Sequence, residues 1–465
     1  MATPGIIRKE ALPQAPHPRP FHPPRRNITP TAERLSSKHA PLELWSKELK
    51  DADIFEGDVA PVLYNIFPGT VDVAHMGNFR SHILFVVREL PPAPWPLTVG
   101  GLPITIVDDD ERGRVLLFPR QNTGNLSRSI CREGFDTEGL PSDDDLCKLA
   151  VRVSSEVQRV VPSLRILELM FTTERTFYVV LENRIQIRNI ESMLPGSIAN
   201  CLVGYLNDED MRRPRWAADL QAKRPIEPPY PVFGRSIDDT AYDTLRPGVM
   251  ICSRNPSYHR HVNTVPTTAG ILVENGVGDR FMTAASHGIG PHGTVALPSP
   301  PGEVDGKAIG KAAVEIPDTG VGLVELEKDV EFLNETFEDS VGGVPAFSHM
   351  VTSQEKPKGR FSCLNSPYTG NLEGTIVMKS ARLRSTSTPK GRLPYVAYLW
   401  SYCGQEEDNE DKVRPTDGSC GSAIWDENSI VRGFYHYHVA EGLWAGFSAA
   451  VSASEVVDAG YRLVS

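Results

Sequence analysis

Three short segments carry side chains that could perform group-transfer chemistry. Phe281-Met282-Thr283-Ala284-Ala285-Ser286-His287-Gly288 brings an imidazole to the end of an apolar run. Asp318-Thr319-Gly320-Val321-Gly322-Leu323-Val324-Glu325-Leu326 puts a carboxylate ahead of another. Asp417-Gly418-Ser419-Cys420-Gly421-Ser422-Ala423-Ile424-Trp425-Asp426 sets a thiol among small residues. A thiol becomes a capable nucleophile when a nearby base takes its proton. Imidazole suits that task because its pKa lies near neutrality, and a buried carboxylate can fix its tautomer. Each segment also has an ordinary explanation. Most free cysteines are inert and buried, a histidine more often fills a core or a surface, and Asp318 follows Pro317 in what reads as a turn. Asp305 and Asp329 compete with Asp318, and Ser419 and Ser422 with Cys420. Two His-x-His pairs, His259/His261 and His436/His438, could grip zinc from a strand face. No third histidine or carboxylate stands at a standard spacing, so neither a metal nor an organic cofactor is expected.

The elements that must position these groups follow from pattern. The chain has 465 residues, 40% hydrophobic and 23% charged, enough for two or three domains. Residues 1–40 are rich in proline and arginine and lack the 7–15-residue apolar core of a secretory signal, so they read as a disordered basic tail. Residues 42–205 read as an α+β unit. Its strands are expected at Pro61–Ile66, His82–Arg88, Pro103–Val107, Arg114–Phe118, Leu164–Phe171 and Thr176–Leu181. Ser142 and three aspartates cap a helix whose apolar stripe runs Leu146, Leu149, Ala150, Val153, Val157, Val160. Residues 206–246, rich in Pro, Arg and Asp, read as a linker.

From 247 the texture changes. Short apolar or β-branched runs alternate with turns at Val249–Cys252, Thr267–Val273, Arg280–Ala284, Thr294–Leu297, Gly320–Leu326, Gly374–Lys379, Tyr395–Tyr402, Ser422–Trp425, Ile430–Tyr437 and Trp444–Val451. Such spacing predicts an antiparallel barrel or sandwich, with one short helix at Ser454–Gly460 and a solvated acidic loop at Glu406–Asp411.

In this setting residues 247–460 resemble the chymotrypsin/trypsin-like peptidase superfamily. That family orders its triad His, Asp, nucleophile. The His follows a T-A-A-type strand end, the Asp opens a D-I-A-L-L-x-L-type strand, and the nucleophile lies in G-D-S-G-G or G-D-S-G-S-A-V. The resemblance implies an all-β two-barrel C-terminal domain, with His287 as base, Asp318 as its orienting group and Cys420 as nucleophile. It also implies an oxyanion hole from the amides of Gly418 and Cys420. Cysteine at that position is similar to the picornavirus-type cysteine proteases. Ser419 stands where trypsin-like enzymes have the Asp that pairs with a newly cut N-terminus, so that activation is not expected. Ser286 puts the T-A-A-H match out of step by one residue.

The family's substrate-pairing strand resembles Gly433-Phe434-Tyr435-His436-Tyr437-His438. His436 would line the first specificity pocket or sit behind Asp318, and Tyr437 belongs to the same strand. His438 would narrow the pocket, and Arg414 matches the pocket floor and favours an acidic side chain.

The expected function is an intracellular endopeptidase acting on a protein or peptide. The alternative is a catalytically silent binding module on the same fold. The net charge of −11 argues against a nucleic-acid partner, and no apolar run approaches the ~18 residues of a membrane span. Seven scattered cysteines without a CxxC pair argue for a reducing compartment, cytoplasmic or nuclear.

Overall fold

The computed structural model describes residues 59–76, 82–89, 91, 98–99, 102–108, 124–130, 135–137, 139–173, 175–182, 185–214, 237–254, 265–298, 306–337, 344–357, 359–385, 392–403, 415–441 and 444–464. The tail, the expected strand at 114–118, Cys131, His259, His261, Asp305, the acidic run 406–411 and Arg414 lie outside the described residues.

Helix α1 (Val59–Tyr64) precedes β1 (Thr70–Met76), β2 (His82–Val87), β3 (Thr98–Val99) and β4 (Leu102–Asp108). These strands form a small sheet in the order β1-β2-β4-β3. The strand expected over Pro61–Ile66 is a helix instead. Pro61 falls in its first turn, where a missing N–H forfeits no helical hydrogen bond.

The next elements are β5 (Asn125–Ile130), α2 (Asp143–Val160), β6 (Ile166–Thr172), β7 (Thr176–Leu181), α3 (Ile187–Ile190), β8 (Pro195–Ile198) and β9 (Cys201–Asn207). Helix α2 begins as its sequence dictates. The Ser142 hydroxyl accepts from the Asp145 amide at 3.2 Å, and Asp143, Asp144 and Asp145 occupy the positive end of the dipole. Its buried stripe of Leu146, Leu149, Ala150, Val153 and Val157 packs into a core shared with Leu169, Phe171 and Phe177 of the adjacent strands.

After β10 (Thr244–Leu245) come β11 (Met250–Arg254), β12 (Val265–Thr268), β13 (Leu272–Glu274), β14 (Arg280–Ala285), the one-turn helix α4 (Ser286–Ile289), β15 (Thr294–Ala296), β16 (Ala308–Ile316), β17 (Val321–Leu326) and β18 (Glu331–Phe332). The sheet path is β12-β11-β15-β16-β17-β14-β13. Strands β12 and β13, far apart on this path, are consecutive in the chain, so the sheet curls round a core of Val249, Ile251, Met282, Val295, Ile309 and Val324.

The second barrel follows β19 (His349–Met350). It is built from β20 (Phe361–Ser366), β21 (Gly370–Leu383), β22 (Tyr395–Cys403), β23 (Ala423–Trp425), β24 (Ile430–His438) and β25 (Phe447–Ser452). Here β20 pairs with both β21 and β23, so the ring β20-β23-β24-β25-β22-β21 closes on itself. Closure uses Gly370–Thr375 of β21 and leaves the edge of its later residues to another strand. Helix α5 (Ser454–Asp458) and β26 (Arg462–Leu463) carry the chain back to the first barrel, where β26 pairs with β13. The chain therefore has a two-barrel, chymotrypsin-like fold preceded by an α+β unit.

One strand joins the two parts. Over Met378–Arg382, β21 also pairs with Glu168–Thr172 of β6, so the α+β sheet continues the wall of the second barrel. Buried charge pins the junction. Asp143 accepts from the hydroxyls of Ser452 and Ser454, each at 2.6 Å, and forms an ion pair with Lys379, whose ammonium also donates to the Pro141 carbonyl at 3.1 Å.

Candidate active site

Strand β14 is buried from Phe281 to Ala285, and its register on β17 sets Ala285 opposite Val321. The chain turns into α4 at once, with the Ser286 amide donating to the Gly320 carbonyl at 2.9 Å. His287 thus stands half-buried at the mouth of the first barrel. The Ser286 hydroxyl donates to Glu315 at 3.1 Å. Glu315 is exposed as a residue, but partial desolvation of its carboxyl, with the charge of Asp318, raises it above its ordinary value, while the Ser286 hydrogen bond opposes them.

Asp318 lies in the turn between β16 and β17, three residues before β17 begins, and adopts a left-handed φ of 63°. Its Oδ1 accepts from the Ser385 hydroxyl at 2.6 Å and the Ser385 amide at 3.2 Å. Arg384 braces the same turn by donating to the Pro317 carbonyl at 3.1 Å while pairing with Glu455 at 2.6 Å.

Cys420 follows a single 3-10 turn, Asp417–Ser419, and is fully buried. Its Sγ donates to the His436 carbonyl at 3.0 Å. Gly421 takes φ +91°, and a Cβ there would lie 2.7 Å from the Ala285 amide nitrogen. No side chain fits at that approach, so the thiol turn is seated backbone to backbone on the strand end that presents His287.

His436 is where these parts meet. Its ring lies near-parallel to that of His287, with centroids 6.3 Å apart and an interplanar angle of 18°. The Tyr398 ring is 6.1 Å from that of His436, at 16°. A Cβ on Gly320 would come within 3.0 Å of His436 Nε2. The cause is a bulge: the β24–β25 register shifts between Tyr435 and Tyr437, and His436 is the extra residue. A bulge re-aims a side chain, and here it turns an imidazole out of the barrel wall. Tyr437 is fully buried edge-on to Trp400 at 5.9 Å, beside Arg213 and Glu168 of the α+β unit, and burial pushes its hydroxyl up to about 12. His438 is half-buried, with Nδ1 3.3 Å from the Ser448 hydroxyl.

Residues that pattern reading passed over complete the surroundings. Thr267 and Thr268 of β12 reach across from the first barrel, and Ser366, Tyr368 and Thr369 of the β20–β21 hairpin approach from the second. Polar side chains inside strand and turn segments carry no periodic signal, so only the fold reveals them. Among the described residues no group of three or more His, Cys, Asp or Glu could hold a metal ion. The described cysteines 147, 201, 252, 363 and 420 are all buried. Among the described residues no helix is long and apolar enough to cross a membrane.

No family model matches the chain, and no curated protein does. Solved structures do. A Nocardiopsis protease overlaps 48% of this chain and 100% of its own at 14% identity and a TM-score of 0.32. Cellulomonas bogoriensis chymotrypsin covers 48% and 99% at 17% identity and a TM-score of 0.32. Thermobifida fusca protease A covers 48% and 99% at 16% identity and 0.31. The fold assignment rests on the strand pairings and ring closure given above.

Proposed function

We propose that this chain is a peptidase in which Cys420 is the nucleophile and His287 its base. The reading is carried by one observation: both residues converge on His436, the thiol at its carbonyl (3.0 Å) and the imidazole ring alongside its ring (6.3 Å). In the proposed cycle His287 takes the thiol proton and Sγ attacks the substrate carbonyl carbon. The amides of Gly418 and Cys420 bind the resulting oxyanion. The C–N bond then breaks, the leaving amine takes the proton from the imidazolium, and a thioester remains. Water, deprotonated by His287, attacks that thioester. The S–C bond breaks, releasing the carboxylic acid and restoring the thiol. Asp318 would orient His287 and bias its charge from the neighbouring turn. His436 and His438, with Arg414, would meet an acidic substrate side chain. Cys147, Cys201 and Cys252, buried and outside any disulfide, support a reducing, intracellular setting.

A second reading is favoured by a specific feature. Cys420 is fully buried, and its sulfur already donates to a main-chain carbonyl, as an inert cysteine in a silent binding module would. Iodoacetamide separates the two. Burial pushes Cys201 and Cys252 up to about 11, and the Cys147 thiol is raised as well, so these three react slowly near neutral pH. The peptidase reading expects Cys420 to be alkylated about 100-fold faster than they are, and His287→Ala to abolish the difference. Equal, slow labelling of every cysteine would establish the silent module.

A further inference from the structure

We infer that Ser366 is a positioning residue for the oxyanion-binding turn, acting through the Ser419 hydroxyl; the inference rests on the reading of Cys420 as nucleophile. A neutral chain of buried hydroxyls runs from the thiol turn into the β20–β21 hairpin. The Ser419 hydroxyl donates to Ser366 at 2.9 Å, Ser366 meets the Thr369 hydroxyl at 2.8 Å, and Thr369 donates to the Gly370 carbonyl at 3.2 Å. Ser366 also accepts from the amides of Tyr368 and Thr369, at 3.3 and 3.2 Å, which ties its own oxygen to the β20–β21 hairpin. Ser366 and Ser419 are fully buried, and Thr369 is 1% exposed.

The peptide planes of the turn are fixed from both barrels. The Gly418 carbonyl accepts from the Thr268 hydroxyl at 2.8 Å. The Ser419 carbonyl accepts from the Ser422 amide at 3.1 Å. The Cys420 carbonyl accepts from the Thr267 hydroxyl at 2.8 Å and the Thr268 amide at 3.4 Å. A trans peptide points its N–H opposite its C=O. Holding the Ser419 carbonyl inward on Ser422 therefore aims the Cys420 amide the other way. The Tyr368 ring presses on Gly418 so closely that a Cβ there would lie 2.2 Å from a ring carbon. Each restraint is neutral and comes from within the fold, so the turn is set without a charged chain end arriving from a cleavage event.

Two reagents isolate this role. Iodoacetamide alkylates sulfur by displacement and forms no oxyanion. p-Nitrophenyl acetate acylates sulfur through a tetrahedral oxyanion, forming the S–C bond and expelling p-nitrophenolate. Ser366→Ala in the full chain is expected to slow acylation of Cys420 about tenfold, with alkylation held within about twofold and Ser366→Thr restoring most of the acylation rate. Thr268→Val, which releases the Gly418 carbonyl instead, should show the same split. Equal acylation in wild type and both variants, or acylation and alkylation falling in step while the circular dichroism spectrum is unchanged, would overturn the assignment. If wild-type Cys420 is alkylated no faster than Cys201 and Cys252, the nucleophile reading fails first and takes this inference with it.

Discussion

The rings of His436 and His287 lie 18° from parallel with centroids 6.3 Å apart, and the Tyr398 ring is 6.1 Å from that of His436. A flat residue at the bulge therefore lies alongside His287. His436→Ala should open a cavity there, lowering stability by about 2–4 kcal/mol and slowing Cys420 alkylation about tenfold. His436→Phe keeps a planar ring and should recover most of the stability. Urea unfolding and alkylation rates measure the two effects, and an alanine variant matching wild type in both would contradict the arrangement.

Gly421 tolerates no side chain. An alanine there would adopt φ +91° and bring its Cβ within 2.7 Å of the Ala285 amide and 2.9 Å of the Thr268 carbonyl. Strain of this kind costs about 1–3 kcal/mol before the clash is counted. Gly421→Ala should lower the melting temperature and remove any rate advantage of Cys420 over Cys252. A variant as stable and as selective as wild type would mean the thiol turn is not seated as described.

Asp143 is the buried keystone between the α+β unit and the second barrel. Asp143→Ala leaves the Lys379 ammonium, 5% exposed, without its carboxylate. Removing one partner of a buried pair costs about 3–5 kcal/mol. Asp143→Ala combined with Lys379→Met should be more stable than Asp143→Ala alone. Denaturant midpoints of the three variants test this, and strict additivity of the two changes would argue against a coupled pair.

Glu315 makes stability depend on pH. Its folded value is raised above 4.5, mainly by partial desolvation of its carboxyl. A carboxyl raised in this way binds more protons folded than unfolded. Its contribution favours the fold below the unfolded value and is lost as pH rises through the folded one. Stability of wild type relative to Glu315→Gln should therefore fall as pH rises from about 4.5 toward neutrality. Thermal melts of both proteins across that range report the difference, and parallel curves would show that Glu315 does not contribute.

The sequence made some of this legible for physical reasons. Apolar runs such as Ile430–Tyr437 and Tyr395–Tyr402 occupy β24 and β22, because a strand covered on both faces reads as a short, nearly continuous apolar run. Helix α2 was readable from its cap and stripe. Strand β16 was not: Ala-Ile-Gly-Lys-Ala-Ala-Val-Glu-Ile is rich in helix-favouring residues, and the tertiary pairing of β15 and β17 overrides that preference. The apolar run at Pro61–Ile66 erred the other way, since periodicity alone does not separate a short strand from a short helix. At the site, the approach of Cys420 and His287 to His436 depends on a bulge, and the tie between Asp318 and Ser385 depends on how a loop returns after β21. Both are long-range consequences of ring closure. The Thr267 and Thr268 contacts likewise arise where two separately formed barrels meet.

The fourteen residues of β21 pair with β22 along one edge, and along the other with β20 over Gly370–Thr375 and with β6 over Met378–Arg382. A fragment cut before residue 247 would keep every strand of the closed ring yet bare the main-chain groups of Met378–Arg382 that β6 now occupies. Such a naked edge recruits any extended peptide, including another copy of itself. The excised barrels should therefore precipitate or pair through this seam, and adding back the β6–β7 hairpin as a separate peptide should keep them dispersed.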